Sequence, residues 1–149
     1  MADLAGSLVT ICDYIFEKLE ANQANLGVAQ VYYGDQEKFP ETPSVCVEPD
    51  ERPRELKSAQ RMTKVTFRIY ILVYHGTISS PQANRRDADL LAENIEALIH
   101  EDPQFGGLLI HSLCTNIESG YANRGERTLV RTSRITFEGL SQQLLPSTS

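Results

Sequence analysis

The stretch KVTFRIYILVY, residues 64–74, decides the fold class because its apolar residues alternate with a period of two. Side chains with this spacing lie on opposite faces of a β-strand. One face is apolar throughout, at Val65, Phe67, Ile69, Ile71 and Val73. The other is amphipathic, at Lys64, Thr66, Arg68, Tyr70, Leu72 and Tyr74. The sequence therefore predicts a long strand that packs one face on helices and offers the other to a second contact.

Two amphipathic helices flank this strand along the chain. The first is predicted over residues 3–21, where apolar residues recur at helical spacing, at Leu4, Leu8, Ile11, Cys12, Ile15 and Leu19. The second is predicted to start with Ser80 as its N-cap and Pro81 in its first turn, and to stop before Asp102 and Pro103. Its apolar stripe consists of Ala88, Leu91, Ile95, Leu98 and Ile99.

Shorter strands complete the predicted sheet. They are expected at residues 28–33, 44–48, 115–121 and 128–139, whereas residues 50–61 are expected to form a long loop or the tip of a hairpin. The pattern of residues 108–113 does not separate helix from strand. The order α-β-β-β-α-β-β predicts an α+β two-layer sandwich, with a mostly antiparallel sheet of about five strands and two main helices on one face. Residues 1–140 are expected to form a single domain and residues 141–149 a mobile tail.

Composition excludes several classes of protein. The 149 residues carry a formal net charge of −6, which argues against a protein that coats nucleic acid, because neutralising phosphates requires a basic face. The amino terminus lacks the pattern of a signal peptide, and the longest apolar run, residues 69–74, is too short to span a membrane. We therefore expect no membrane contact and synthesis in the cytoplasm.

The search for catalytic chemistry finds no convincing motif. His75, His100 and His111 are far apart and are expected at the surface or at strand ends. The acidic residues of the second helix, Asp87, Asp89, Glu93 and Glu96, are expected to form a solvated face. The cysteines, Cys12, Cys46 and Cys114, are expected to be buried and reduced. The sequence therefore predicts no catalytic residues, no metal site and no cofactor.

Charge is unevenly distributed along the chain. Residues 1–50 contain nine acidic and two basic residues, a net charge of −7, whereas the remaining residues have a net charge of +1. Either composition fluctuates, or one edge of the subunit is acidic and another basic, which would suit a head-to-tail contact between copies. On the last strand, Arg131, Ser133, Ile135 and Phe137 share one face, and the opposite, polar face is either solvated or lines a channel.

The arrangement resembles one known family. A strand ending in Tyr33-Gly34-Asp35, the PSVCVEP stretch at residues 43–49 and the long strand are followed by a helix, Gly106-Gly107 and the stretch IESGYA at residues 117–122. Over residues 5–140 this order resembles the small tail-terminator, or tail-completion, proteins of long-tailed bacteriophages. The resemblance implies a structural protein with no catalytic residues, whose hexameric ring caps the tail tube, ends tube growth and provides a docking face for the head or neck.

The resemblance also implies partners and a location. The partners would be other copies of the chain, the tail tube protein and a neck or head-completion protein, and DNA would pass through the channel without specific binding. The protein would be found in the tail or neck of the virion, after assembly in the host cytoplasm. Residues 50–62 and 122–127 would reach partner proteins, through Arg52, Arg54, Arg61, Arg124 and Arg127.

Three alternatives stay open at this point. A head-completion or neck connector protein on the portal side would have a similar size and acidity. A small cytosolic enzyme would need a concave pocket with convergent polar groups. A monomeric adaptor domain would need neither a pocket nor a ring.

Overall fold

The computed structural model describes residues 7–34, 42–51, 54–56, 62–77, 84–123 and 129–144. In chain order, the elements are α1 (Leu8–Ala21), α2 (Gln23–Leu26), β1 (Gln30–Tyr33), β2 (Ser44–Glu51), β3 (Arg54–Leu56), β4 (Met62–Thr77), α3 (Arg85–Ile99), β5 (His111–Asn123) and β6 (Leu129–Leu144). A 3-10 turn at Phe105–Gly107 precedes β5. The predicted α+β class and element order are confirmed, and the one-turn helix α2 and the short strand β3 are additions.

The strands form one mixed sheet in the order β1-β2-β4-β6-β5, and β3 pairs with the start of β4. β1 and β2 are parallel, and the other pairs are antiparallel. The two 16-residue strands, β4 and β6, lie side by side in the middle of the sheet. Among the described strands, β1 and β5 therefore form the two edges.

The core lies between one face of this sheet and the helices. The predicted apolar face of β4 is fully or almost fully buried, from Val65 to Val73. On β6, Ile135 and Phe137 are buried on the same side. α1 packs on β1 and β2, whereas α3 packs on β6 and β5. The predicted two-layer arrangement is confirmed, and the opposite face of the sheet carries no described helix.

The helix starts show how local capping sets the boundaries. Ser7 caps α1, because its Oγ accepts a hydrogen bond from the Thr10 N–H at 3.0 Å. Asn84 caps α3, because its Oδ1 accepts one from the Arg86 N–H at 2.8 Å. The predicted start of this helix, at Ser80 and Pro81, lies outside the described residues, and the described helix begins at Arg85.

Several predicted boundaries change. Residues 50–61, predicted as a long loop or the tip of a hairpin, connect the antiparallel strands β2 and β4, as a hairpin tip does. They are not loop throughout, because Asp50 and Glu51 continue β2 and β3 pairs with β4. The long strand begins at Met62 and ends at Thr77, beyond the predicted 64–74. The ambiguous segment 108–113 becomes strand from His111 onward. The last strand continues past the predicted Gly139 to Leu144, because its backbone pairs with β4 as far as Met62. The residues after Leu144 lie outside the described residues.

Candidate functional site

Of the five arginines expected to contact partners, the structure places only Arg54. It lies on β3, opposite Val65 of β4. Arg52, Arg61, Arg124 and Arg127 lie outside the described residues. The interface assigned to residues 50–62 and 122–127 therefore stays a prediction.

The acidic residues of α3 are dispersed along a solvated face. Asp89 forms an ion pair with Arg85, one turn earlier, at 2.9 Å, and Glu93 is exposed. Across the described residues, no group of three or more His, Cys, Asp or Glu side chains is arranged to hold a metal ion. None of the described helices has the length and apolar character needed to cross a membrane.

All three cysteines are buried and none forms a disulfide, as the sequence predicted. Burial raises the pKa of the Cys12 thiol to about 11, an effect that a hydrogen bond with Tyr33 partly offsets. Burial also raises the pKa of the Cys114 thiol to about 12, with a smaller contribution from Glu96. A thiol nucleophile needs a lowered pKa, so these sites are structural.

The histidines are predicted at the surface or at strand ends, and His111 is exposed at the start of β5. His75 lies near the end of β4 but is fully buried, which the sequence pattern does not predict. It follows Val73 on the core side of the strand, where a bulge between Tyr74 and Gly76 shifts the register. Its Nε2 lies 2.8 Å from the Ser133 Oγ. Desolvation and, to a smaller extent, the charge of Arg131 lower the pKa of His75 from 6.5 to about 4, while Asp89 opposes the shift.

The sheet face without a described helix carries paired charges. Arg134 of β6 forms two hydrogen bonds of 3.0 Å with the carboxylate of Glu118 on β5. Its guanidinium also lies 4.7 Å from the centre of the Tyr70 ring on β4. Arg68 lies between two carboxylates, in an ion pair with Glu51 and in a second with Glu138 at 3.2 Å. Both arginines are therefore held by neighbouring strands.

A shallow groove of about 240 Å³ runs along this face between β4, β6 and β5. Its walls include Leu72 and Tyr74 on one side and Gly120 and Ala122 on the other. On the same face, Tyr74 packs with Cys46 and Val130 in a small apolar cluster. The groove is lined by apolar side chains, by the hydroxyl-bearing residues Ser119, Thr132 and Ser133, and by the paired Arg134 and Glu118.

The end of the β5–β6 hairpin carries exposed apolar side chains. Tyr121 is 58% exposed and Leu129 is 46% exposed. The Arg131 guanidinium lies 5.1 Å from the centre of the Tyr121 ring. Sequence reasoning missed Tyr121 and Leu129 as surface residues. The available signal was Arg131, a charged residue in the same row as Ile135 and Phe137, which marks where the buried row ends.

Comparison with solved structures identifies a similar fold. A chain of the virion of a native gene transfer agent particle aligns with a TM-score of 0.57 at 13% sequence identity, over 87% of this chain and 92% of that chain. At this identity the similarity shows a shared fold. A second solved chain, 16% identical, aligns over 97% of this chain and 100% of its own length, with a TM-score of only 0.48. No protein-family model and no curated protein matches the sequence.

Proposed function

We propose that this chain is a structural protein of a phage-like virion, and that a ring of its copies caps the tail tube, ends tube growth and provides the docking face for the head or neck. The observation that carries the proposal is the fold shared, over 87% of this chain, with a chain of a gene transfer agent virion. The resemblance to tail-terminator proteins, found from the order of elements, supports the more specific role and implies six copies in the ring.

The sheet face without a described helix supports a passage for DNA. Arg68 and Arg134 on this face are each held by carboxylates of neighbouring strands. A DNA phosphate would have to displace a carboxylate to bind either guanidinium, and the net charge of −6 adds a general repulsion. Such a surface lets DNA pass without retaining it.

Deletion of the gene from the genome that encodes this chain tests the proposal. We expect electron micrographs to show tails longer than normal, because nothing ends growth of the tube, and supplying the gene from a plasmid should restore the length. Tails of normal length beside unattached, DNA-filled heads would instead indicate a neck connector. Normal infectious particles would contradict a role in the virion.

The arginines at residues 122–127 provide a second test. Reversing Arg124 and Arg127 to Glu should reduce binding of the purified protein to tail tubes, measured by co-sedimentation. Lys64→Glu, a single charge reversal on β4, is the control and should bind normally. Unchanged binding of the double variant would remove these two residues from the interface.

A further inference from the structure

The buried face of the β5–β6 hairpin continues beyond the helices that cover it. Along β6, the exposed fraction on this side is 0% at Phe137 and Ile135 and 2% at Ser133. Past Ser133 the covering ends, and the same side presents Arg131 and Leu129, with Tyr121 opposite Arg131 on β5. We call these three residues the hairpin face. Tyrosine and arginine are enriched at the centres of protein interfaces, and Leu129 adds exposed apolar area beside them.

A complementary surface lies on α1. Its outer side carries Val9, Asp13, Glu17 and Glu20, all exposed, which we call the acidic edge. Val9 is 59% exposed, so the acidic edge includes apolar area as well as charge. Among the described residues, no ion pair neutralises its three carboxylates.

The contacts of α1 place the acidic edge on the outer side of the molecule. One flank of α1 faces the segment after α3, where Lys18 forms an ion pair with Glu101 at 3.5 Å. The opposite flank faces β1, where the ring centres of Phe16 and Tyr33 are 6.4 Å apart. β1 is an edge of the sheet, and β5 is the other edge. Successive residues of a helix are 100° apart, which puts Asp13 and Glu20 on the same side of α1 as Phe16, toward β1. The acidic edge and the hairpin face therefore lie at opposite edges of the sheet.

The two surfaces also lie at the same end of the strands. Gln23, just after α1, donates a hydrogen bond from its Nε2 to the Ala29 carbonyl, so the carboxyl end of α1 is beside the start of β1. The pairing continues across the sheet from Gln30 through Ser44 and Tyr74 to Thr132. Glu20 and the hairpin face are therefore at one level, as a side-by-side contact requires.

We propose that the hairpin face of one copy docks on the acidic edge of a second copy. The α1 of the neighbour would continue the helix layer over the part of the hairpin that the described helices of this chain leave exposed. Arg131 would meet Glu20 and Glu17, with Tyr121 and Leu129 packing beside it on the carboxyl end of the neighbour's α1. Because the two surfaces differ and lie at opposite edges, the contact is heterologous and repeats from copy to copy, which can close a ring. The biological role of this contact rests on the proposed function, in which copies of the chain form a ring.

Complementary charge reversals test the contact. Arg131→Glu alone, or Glu17→Lys with Glu20→Lys, would bring like charges together, and we expect sedimentation equilibrium to show self-association weakened at least about tenfold. In a mixture of equal amounts, the two variants can alternate around a ring. Each contact then joins either two native surfaces or two reversed ones, so every contact brings opposite charges together. The mixture should therefore regain the wild-type mass, whereas each variant alone stays smaller.

A control variant and a second interface variant separate weakened association from loss of folding. Glu93→Lys, on the exposed side of α3, is a matched reversal that should leave the mass of the oligomer unchanged. Tyr121→Ser, at an exposed ring, should weaken association without a charge change, and it replaces Arg131→Glu if that variant does not fold.

The outcomes distinguish the contact from the proposed function. A wild-type oligomer that none of these variants weakens would overturn the contact and leave the ring standing. A wild-type protein that is monomeric at about 1 mM, the weak end of specific affinities, would also overturn the contact. The gene deletion would then decide the virion role independently.

Discussion

At the residue scale, buried His75 ties the stability of the fold to pH. Its pKa is lowered to about 4 in the folded protein, first by desolvation and then by Arg131, while Asp89 opposes the shift. In the unfolded chain it titrates near 6.5, so the unfolded state binds the proton more readily. The stability contributed by neutral His75 is fully present above pH 6.5 and is lost as the pH falls toward 4, by on the order of 3 kcal/mol.

Urea denaturation of the wild type and of His75→Gln between pH 4 and 7 measures this loss. Carboxylates titrate in both proteins, so the difference between the two profiles isolates the imidazole. We expect the wild type to lose more free energy of unfolding than the variant on acidification. Parallel profiles would show that protonation of the His75 imidazole does not lower the free energy of unfolding.

Gly139 is a second residue whose surroundings predict a measurable cost. A Cβ at this position would lie 2.7 Å from Leu109 Cδ1 and 3.2 Å from Phe137 Cε1, both in the core. We expect Gly139→Ala to reduce the free energy of unfolding by about 1–3 kcal/mol, because buried Leu109 has to move. Gly120→Ala is the matched control, since its Cβ would meet only Thr132 Oγ1 at 3.7 Å. Equal stabilities of the two variants would contradict this steric account.

At the scale of the element, a side chain protects one backbone group of the edge strand β5. His100, the residue after α3, accepts a hydrogen bond on its Nε2 from the Cys114 N–H at 2.9 Å. Near the same end, the Ser112 hydroxyl donates to the Pro103 carbonyl at 2.8 Å and ties β5 to the segment after α3. Unsatisfied groups at a sheet edge invite pairing with other strands, so the bond to His100 protects the edge at Cys114.

We expect His100→Ala to expose the Cys114 amide, with a loss of about 1 kcal/mol of stability. Hydrogen exchange followed by NMR should show faster exchange at Cys114, while amides paired between β4 and β6 keep their protection. His111→Ala, at an exposed histidine, is the control. Unchanged exchange at Cys114 would mean that the imidazole does not protect this edge.

Elements also show which features the sequence could predict. The faces of β4 follow from its alternation, because each core residue contributes its own apolar surface, and the cysteines are buried for the same reason. The start of α3 at Arg85 was not predicted, because Asn84 and Ser80 are both residue types that cap helices well and the sequence pattern does not choose between them. The hairpin face was missed because Arg131 is its only local signal, and the exposure of Tyr121 and Leu129 depends on where α3 stops covering β6.

At the scale of the whole molecule, the proposed passage of DNA depends on how the charges of the protein are paired. The chain has a net charge of −6, and Arg134 and Arg68 are held by Glu118 and Glu138. We expect fluorescence anisotropy with a labelled DNA duplex to show a dissociation constant weaker than about 10⁻⁴ M at physiological salt.

Neutral replacements separate the local pairing from the total charge. Glu118→Gln removes the carboxylate that holds Arg134, and Glu138→Gln leaves Arg68 with Glu51 alone. This double variant should strengthen DNA binding, with a steep loss of affinity as salt rises. Glu17→Gln with Glu93→Gln changes the net charge by the same amount at exposed helix positions, and should bind no better than the wild type. If both double variants gained affinity equally, total charge would suffice and the paired arginines would have no part in letting DNA pass.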